Sequence, residues 1–504
     1  MSYSLVPVPS DRLPALAWIA AIPKTPGAVR VMHGVAVEQQ AGSVVEGCWD
    51  GEFSSGGFES HVNFFGSGVV VGRDRVTAVS SRSLTDRIVW CEGADAFVCA
   101  NSLPLLLSFA RTRLRGDVDY GPVLGACLQG IRDYDGALPL RGETGHCNQV
   151  FGHNVVFAGP SATRSYRPAS PVDLSDFSAY RDALRGTIDR LVANCRDPAR
   201  ATPVSIDTTL STGYDSAAVT ALLRDYGPRR VFTTQPDDRA PDLEDGAALA
   251  RVLGLDAFLL ERTTPSRDTE LYCLAGAMDG RESIYTTALE HMSGDDRISA
   301  LFTGYHGDKL WDIATPRASW SPDILRGDTS GLNLCESRLR SGFFNIGVPF
   351  IFADRIADLV RIARSPEMQP WSVGGDYDRP VPRRIAEAAG LDRESFGRQK
   401  KVVLSYEALP LNPQLRREFL DYFTGSVGRL RFLANLVSGN LDYAVKLIST
   451  RLRLPVGPPR IRKRLKADLF ANQIYIFAVN TIAERYERAL ADTGAQALTT
   501  SRHD

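Results

Sequence analysis

The chain has almost no net charge: 58 Lys and Arg stand against 59 Asp and Glu, a formal −1. That balance gives no electrostatic pull toward nucleic acid or an anionic membrane. No apolar run approaches the roughly 18 residues of a membrane span, so no membrane insertion is expected. The N-terminal stretch MSYSLVPVPSDRLPALAWIAAIP lacks a basic segment and a continuous apolar segment, so no signal peptide is read there. Cysteine is sparse, eight in 504 residues, and scattered singly at Cys48, Cys91, Cys99, Cys127, Cys147, Cys195, Cys273 and Cys335. Without a CxxC pair, a zinc site or a redox dithiol is not expected. A cytoplasmic protein with reduced, mostly buried thiols fits best. Internal repeats are also lacking.

What is present is the composition of a soluble globular protein, 44% hydrophobic and 23% charged. The length predicts two or three domains. Residues 1–165 are rich in Gly, Val and Phe. Runs such as HVNFFGSGVVVG (61–72), RVTAVSS (75–81) and NVVFAG (154–159) predict a β-rich domain. PSATRSYRPASPVDLS (160–175) reads as a linker.

From Asp176 the pattern changes. FSAYRDALRGTIDRLVANC (177–195) has helical periodicity, PVSIDTTLSTG reads as strand and loop, and YDSAAVTALLRDYG (214–227) as a helix ended by Gly227. RRVFTTQP (229–236) and AFLLER (257–262) read as strands on either side of a helix in DLEDGAALARVLGLD (242–256). ALFTGYHGDKLWD (300–312) is another strand and turn, and the remainder to Ala495 reads as mainly helical. Strands alternating with helices predict an α/β fold with a parallel sheet, here spanning 176–504.

Leu210-Ser211-Thr212-Gly213-Tyr214-Asp215-Ser216 follows an apolar strand and opens a helix. Such a turn gathers backbone N–H groups at a helix N-terminus and suits an anion. Gly213 allows close backbone approach or a positive φ. Asp215 beside an anion site suits a Mg²⁺ ligand. The alternative is a plain strand-to-helix turn in which Asp215 or Ser216 caps the helix.

This run resembles the SGGxDS pyrophosphate loop of N-type ATP pyrophosphatases, with Thr212 in place of one glycine. Thr303-Gly304-Tyr305-His306-Gly307-Asp308 is similar to the SGEGSDE turn of asparagine synthetases and the TGYG-type turn of β-lactam synthetase. Phe396-Gly397-Arg398-Gln399-Lys400-Lys401 resembles the lysine segment of the same superfamily, and DRPVPRRIAEAAGLDRESFG (378–397) its helical lead. The asparagine synthetase/β-lactam synthetase resemblance is specific over about 200–405 and generic beyond. It implies a PP-loop sheet of the adenine-nucleotide α-hydrolase type, preceded by a domain shaped like an N-terminal-nucleophile amidohydrolase.

The resemblance also implies a chemistry. ATP sits on Leu210, Ser211, Thr212, Gly213, Tyr214, Asp215, Ser216 and Gly304, with Mg²⁺ held by Asp215 and Asp308. Lys400, with Lys401 one residue away, supplies positive charge where the α-phosphate gains negative charge. Tyr305 stands where asparagine synthetases carry Glu and β-lactam synthetase carries Tyr, which implies a general base for an amine. A phenol of pKa about 10 needs activation for that role. The alternative is a Tyr that shapes the pocket wall. Glu336 is the nearest candidate for its acidic partner, and His306 reads as a space-filling or hydrogen-bonding residue.

Gly347-Val348-Pro349-Phe350-Ile351 is similar to the superfamily's RVPFLD stretch, but Asn345 and Gly347 replace the Glu and Arg of asparagine synthetases. That argues against an aspartate pocket. Glutamine-dependent members use Cys at position 2 as nucleophile. Ser2 stands here, so the first domain reads as a degenerate glutaminase. Glu244 and Asp245 fall on an acidic pair of many members, or on a solvated helix start. The basic stretch 450–466 reads as a solvated surface segment.

The expected function is an amide-forming ligase that adenylates a carboxylate, with small-molecule or peptide acids and amines as substrates. A lasso-peptide-type lactam is one product class. Asparagine synthesis from free ammonia and a silent ATP-binding homologue are the alternatives. A homodimer is left open.

Overall fold

The structure, a computed structural model, describes residues 2–127, 130–132, 134–142, 145–234, 246–261, 263–276, 281–293, 295–321, 331–375, 377–397, 404–405, 409–427 and 469–491. Its first part is built from two β-sheets. The seven-stranded sheet runs, in spatial order, Ser4–Pro9, Ala28–His33, Trp18–Pro23, Ala96–Ala100, Ile88–Glu92, His146–Val150 and Leu138–Pro139. The six-stranded sheet runs Ser161–Ser165, Asn154–Ala158, Val76–Val79, Phe64–Val71, Ser43–Trp49 and Glu38–Gln40. Among the described residues of these two sheets, Ser4–Pro9 with Ala28–His33 is the one parallel pair. Trp18, Val29, Val31 and Phe97 of one sheet share a core with Val44, Val69, Val155 and Phe157 of the other. Alternate residues of a strand point to one face, so Val29 with Val31 and Val155 with Phe157 supply that core in pairs.

The β-rich reading therefore holds, with two additions. The proposed linker begins inside the sheet, because Ser161–Ser165 pairs antiparallel with Asn154–Ala158. A short helix, Leu103–Phe109, packs on the seven-stranded sheet, its Ser102 hydroxyl accepting from Leu105 N–H at 3.3 Å. The residues from Leu103 to Ser108 are all buried, so this helix shows no amphipathic period in the sequence.

The second part carries a five-stranded, wholly parallel sheet in the order Ala257–Leu260, Arg230–Thr234, Val204–Thr209, Ile298–Thr303, Phe343–Gly347. The chain starts at the centre, builds outward to one edge, then returns to build the other side. Its direction of growth reverses between Val204–Thr209 and Ile298–Thr303, and ligands of such sheets bind beyond the strand C-termini at that reversal. Helices Phe177–Cys195, Tyr214–Leu223 and Gly246–Val252 fall within the expected stretches. Asp176 caps the first by accepting from Ala179 N–H at 2.9 Å. Gly227, at φ 60°, closes the turn after the second. The strand Phe343–Gly347 departs from the mainly helical expectation. It is five buried residues without alternation, a run that periodicity does not separate from a buried helix.

The two parts join through a buried ionic seam. Both Nη atoms of Arg338 donate to Glu46 at 2.8 Å, and its Nε pairs with Asp86 at 2.5 Å. Arg87 pairs with Glu336 at 2.8 Å. The late helix Leu469–Ala491 returns to the first part and packs on Leu103–Phe109, with Asn480 bonded to both the N–H and the carbonyl of Leu114. All eight cysteines are buried, and none forms a disulfide. Among the described residues, no helix is long and apolar enough to cross a membrane.

Candidate functional site

Val204–Thr209 and Ile298–Thr303 lie side by side, so the turns that follow them meet at the sheet reversal. The contact is close. A β-carbon on Gly304 would lie 2.5 Å from the carbonyl carbon of Asp215, and one on Gly307 would lie 2.4 Å from its carboxyl carbon. Glycine is required at both positions for this approach. The sequence-expected residues Leu210 to Ser216 and Gly304 to Asp308 are thus brought into one place.

Within the first turn, the Ser211 and Ser216 hydroxyls are 2.8 Å apart, and Ser216 Oγ accepts from Ser211 N–H at 3.0 Å. Gly213 N–H donates to Ser211 Oγ at 3.2 Å, and Leu210 N–H ties the turn to Phe232 at 2.8 Å. The helix begins after Gly213 with no side-chain cap, so neither Asp215 nor Ser216 is a capping residue. Gly213 sits at φ −77°, so its positive-φ option is unused. Thr212 holds the lysine segment by its carbonyl, which accepts from Gly397 N–H at 2.7 Å. Gly397, at φ 69°, lies against Tyr214, where a β-carbon would approach the ring to 2.4 Å. The segment 398–401, including Lys400 and Lys401, lies outside the described residues, as do Glu244, Asp245 and the stretch 450–466.

The carboxylates carry the electrostatics. Asp215 Oδ2 pairs with Arg379, while Oδ1 is buried with no hydrogen-bond donor among the described residues. Burial, reinforced by the charge of Asp308, pushes the Asp215 carboxyl up to about 6 against the pull of Arg379. Asp308 pairs with Lys309 at 3.0 Å. Burial raises it, but Lys309 and Arg379 outweigh that and hold it below the usual carboxylate range. Asp312 lies 3.4 Å from Arg379 Nε. An orphaned oxygen in a group of carboxylates short of positive charge fits a divalent cation. Among the described residues, no set of three or more His, Cys, Asp or Glu side chains is grouped to hold a metal by itself. A Mg²⁺ bound by two carboxylates and completed by phosphate oxygens needs no such set.

Tyr305 stacks on Phe350, with ring centroids 5.7 Å apart and planes at 23°, and Gly331 lies against its ring edge. His306 holds φ 72° and stacks on the same Phe350 at 4.6 Å, in accord with a space-filling role. A left-handed histidine in this turn is local strain of the kind found at functional sites. Asn345 links Thr303, whose hydroxyl donates to it at 3.3 Å, to Thr85 of the first part, to which it donates at 3.3 Å. Glu336, the candidate acidic partner of Tyr305, has its carboxylate engaged by groups of the first part. Its carboxylate accepts from Arg87 at 2.8 Å, Ser102 hydroxyl at 2.7 Å and Leu103 N–H at 3.0 Å, which fixes it in the seam.

Three site residues were not legible beforehand. Arg379 and Asp312 join the acidic cluster, and Arg383 donates to the Tyr214 hydroxyl at 2.5 Å while lying over the rings of Tyr214 and Phe396. The only sequence signal for the arginines was their place in the helical lead to the lysine segment. A depression of about 640 Å³, lined by Arg181, Arg185, Arg224 and Trp371 among others, contains no residue of the Leu210–Ser216 or Thr303–Asp308 turns. No protein-family model matches the chain, and no curated protein matches it.

Proposed function

We propose that the chain is an ATP-dependent amide-forming ligase with a PP-loop-type synthetase part and an amidohydrolase-shaped first part. The observation that carries this reading is the contact of the Leu210–Ser216 and Thr303–Asp308 turns at the reversal of the parallel sheet. Placing two substrates in one cleft converts a bimolecular reaction into a nearly unimolecular one. The hydroxyls and amides of Ser211 to Ser216 bind the β,γ-phosphates of the substrate ATP. Asp215 and Asp308 would hold Mg²⁺, which would supply positive charge for the departing pyrophosphate. The acid's carboxylate oxygen attacks the α-phosphorus, pyrophosphate leaves, and Lys400 offsets the charge that develops. An amine then attacks the acyl carbon, Tyr305 takes its proton, and AMP departs. The products are an amide or lactam, AMP and pyrophosphate.

The substrates in this reading are small-molecule or peptide acids and amines, and the setting is cytoplasmic. The test is ATP–pyrophosphate exchange with Mg²⁺ and pooled acids, alongside Asp215→Ala. Exchange that depends on one acid and is lost in the variant supports adenylation. Absence of ATP binding would sink the reading.

A further inference from the structure

Arg379 precedes helix Pro380–Ala388, and its side chain is only 3% exposed. Its Nη1 pairs with Asp215 Oδ2, its Nε lies 3.4 Å from Asp312 Oδ2, and its guanidinium lies 4.8 Å from the centre of the Tyr377 ring. One cation thus bridges Asp215 and Asp312, two carboxylates that follow different strands of the sheet. The neighbouring Arg383 is placed differently, between Tyr214 and Phe396 and bonded to the Arg393 carbonyl at 3.2 Å, where it braces the helix start.

The arrangement creates a competition. A divalent cation and a guanidinium on one carboxylate repel each other at a separation of about 4 Å. Polyphosphate oxygens, by contrast, suit the planar paired donors of an arginine. We infer that Arg379 is an exchangeable cation of the nucleotide site: it holds Asp215 in the metal-free protein and passes its Nη donors to a nucleotide phosphate when Mg²⁺ takes Asp215, with Asp312 as its tether. This inference rests on the ATP reading and adds a phosphate ligand to it. It makes metal and nucleotide mutually supporting, since each relieves the site of what the other displaces.

The test uses the full chain and two titrations: Mn²⁺ alone, followed by electron paramagnetic resonance, and Mg–ATP, followed by calorimetry. In Arg379→Gln, Mn²⁺ alone binds about tenfold tighter and Mg–ATP about tenfold weaker. General damage to the site would lower both. Arg379→Lys keeps a charge beside Asp215, so Mn²⁺ binding stays near wild type. A lysine cannot hold Asp312 and a phosphate together, so Mg–ATP binding still falls. Affinities that fall together in Arg379→Gln, that do not move, or an Arg379→Lys protein with wild-type Mg–ATP affinity would each overturn the inference. Should Arg379→Gln not fold, the lysine variant decides alone. A wild-type protein that does not bind Mg–ATP overturns the ATP reading itself, with no variant needed.

Discussion

Gly304 and Asp215, from turns that follow different strands, are packed so closely that a β-carbon on the glycine would lie 2.5 Å from the aspartate's carbonyl carbon and 2.7 Å from Ser216 N. Backbone on both sides leaves no side chain to swing away, so the methyl of Gly304→Ala must push the turns apart. Overpacking of this kind costs about 1–3 kcal/mol. The expected outcome is a stability loss of that size in urea unfolding. Pyrophosphate exchange falls with it by about 100-fold, because a shift of about 1 Å separates groups that must act together.

Tyr305→Phe separates the two readings of that residue. The ring still stacks on Phe350, so the wall it forms is retained. With the phenol as base, pyrophosphate exchange is kept while amide formation falls by about 10²–10⁴-fold. Equal retention of both half-reactions in a single-turnover assay would leave Tyr305 as wall alone.

Arg338→Ala tests the seam. The arginine is 1% exposed and faces both Glu46 and Asp86, so its removal leaves two buried carboxylates without a cation. Breaking a buried pair in this way costs about 3–5 kcal/mol. The melting temperature falls accordingly. Because the seam joins both parts, one shifted transition is expected rather than two.

His153 predicts an acid-side instability. It is 8% exposed, and neither ring nitrogen has a hydrogen-bond partner among the described residues. Burial first, then Arg167 and other nearby arginines, lower it from 6.5 to about 4. A depressed value means that the unfolded chain takes up the proton before the folded one does. The contribution of neutral His153 is therefore intact above about 6.5 and is lost as pH falls toward 4. The loss is on the order of 1–3 kcal/mol. Urea unfolding of wild type and His153→Asn between pH 7 and pH 4 measures it as a difference that narrows on the acid side.

The first four strands of the parallel sheet, the helices Tyr214–Leu223 and Gly246–Val252 and the position of the Leu210–Ser216 turn were legible from the chain, because each announces itself locally. An apolar run ends, a turn residue follows, and helical spacing begins. Phe343–Gly347 and Leu103–Phe109 were not, since full burial removes the polar side that periodicity needs. Glu336 illustrates the limit for a site. Its nearness in sequence to the Tyr305 turn suggested a partner, whereas the fold gives its carboxylate to Arg87, 249 positions away.

By itself the sequence determined which residues could bind phosphate and metal: Ser211, Asp215, Ser216 and Asp308 carry that capacity in their side chains. Whether they act on one ligand was decided only by the sheet, which sets two strands that are 94 positions apart at their starts, 204 against 298, in parallel register. The same folding brought Arg379 to Asp215. No local pattern could foretell that pairing, because the attraction between a guanidinium and a carboxylate depends on distance in space and burial, and both are properties of the packed chain.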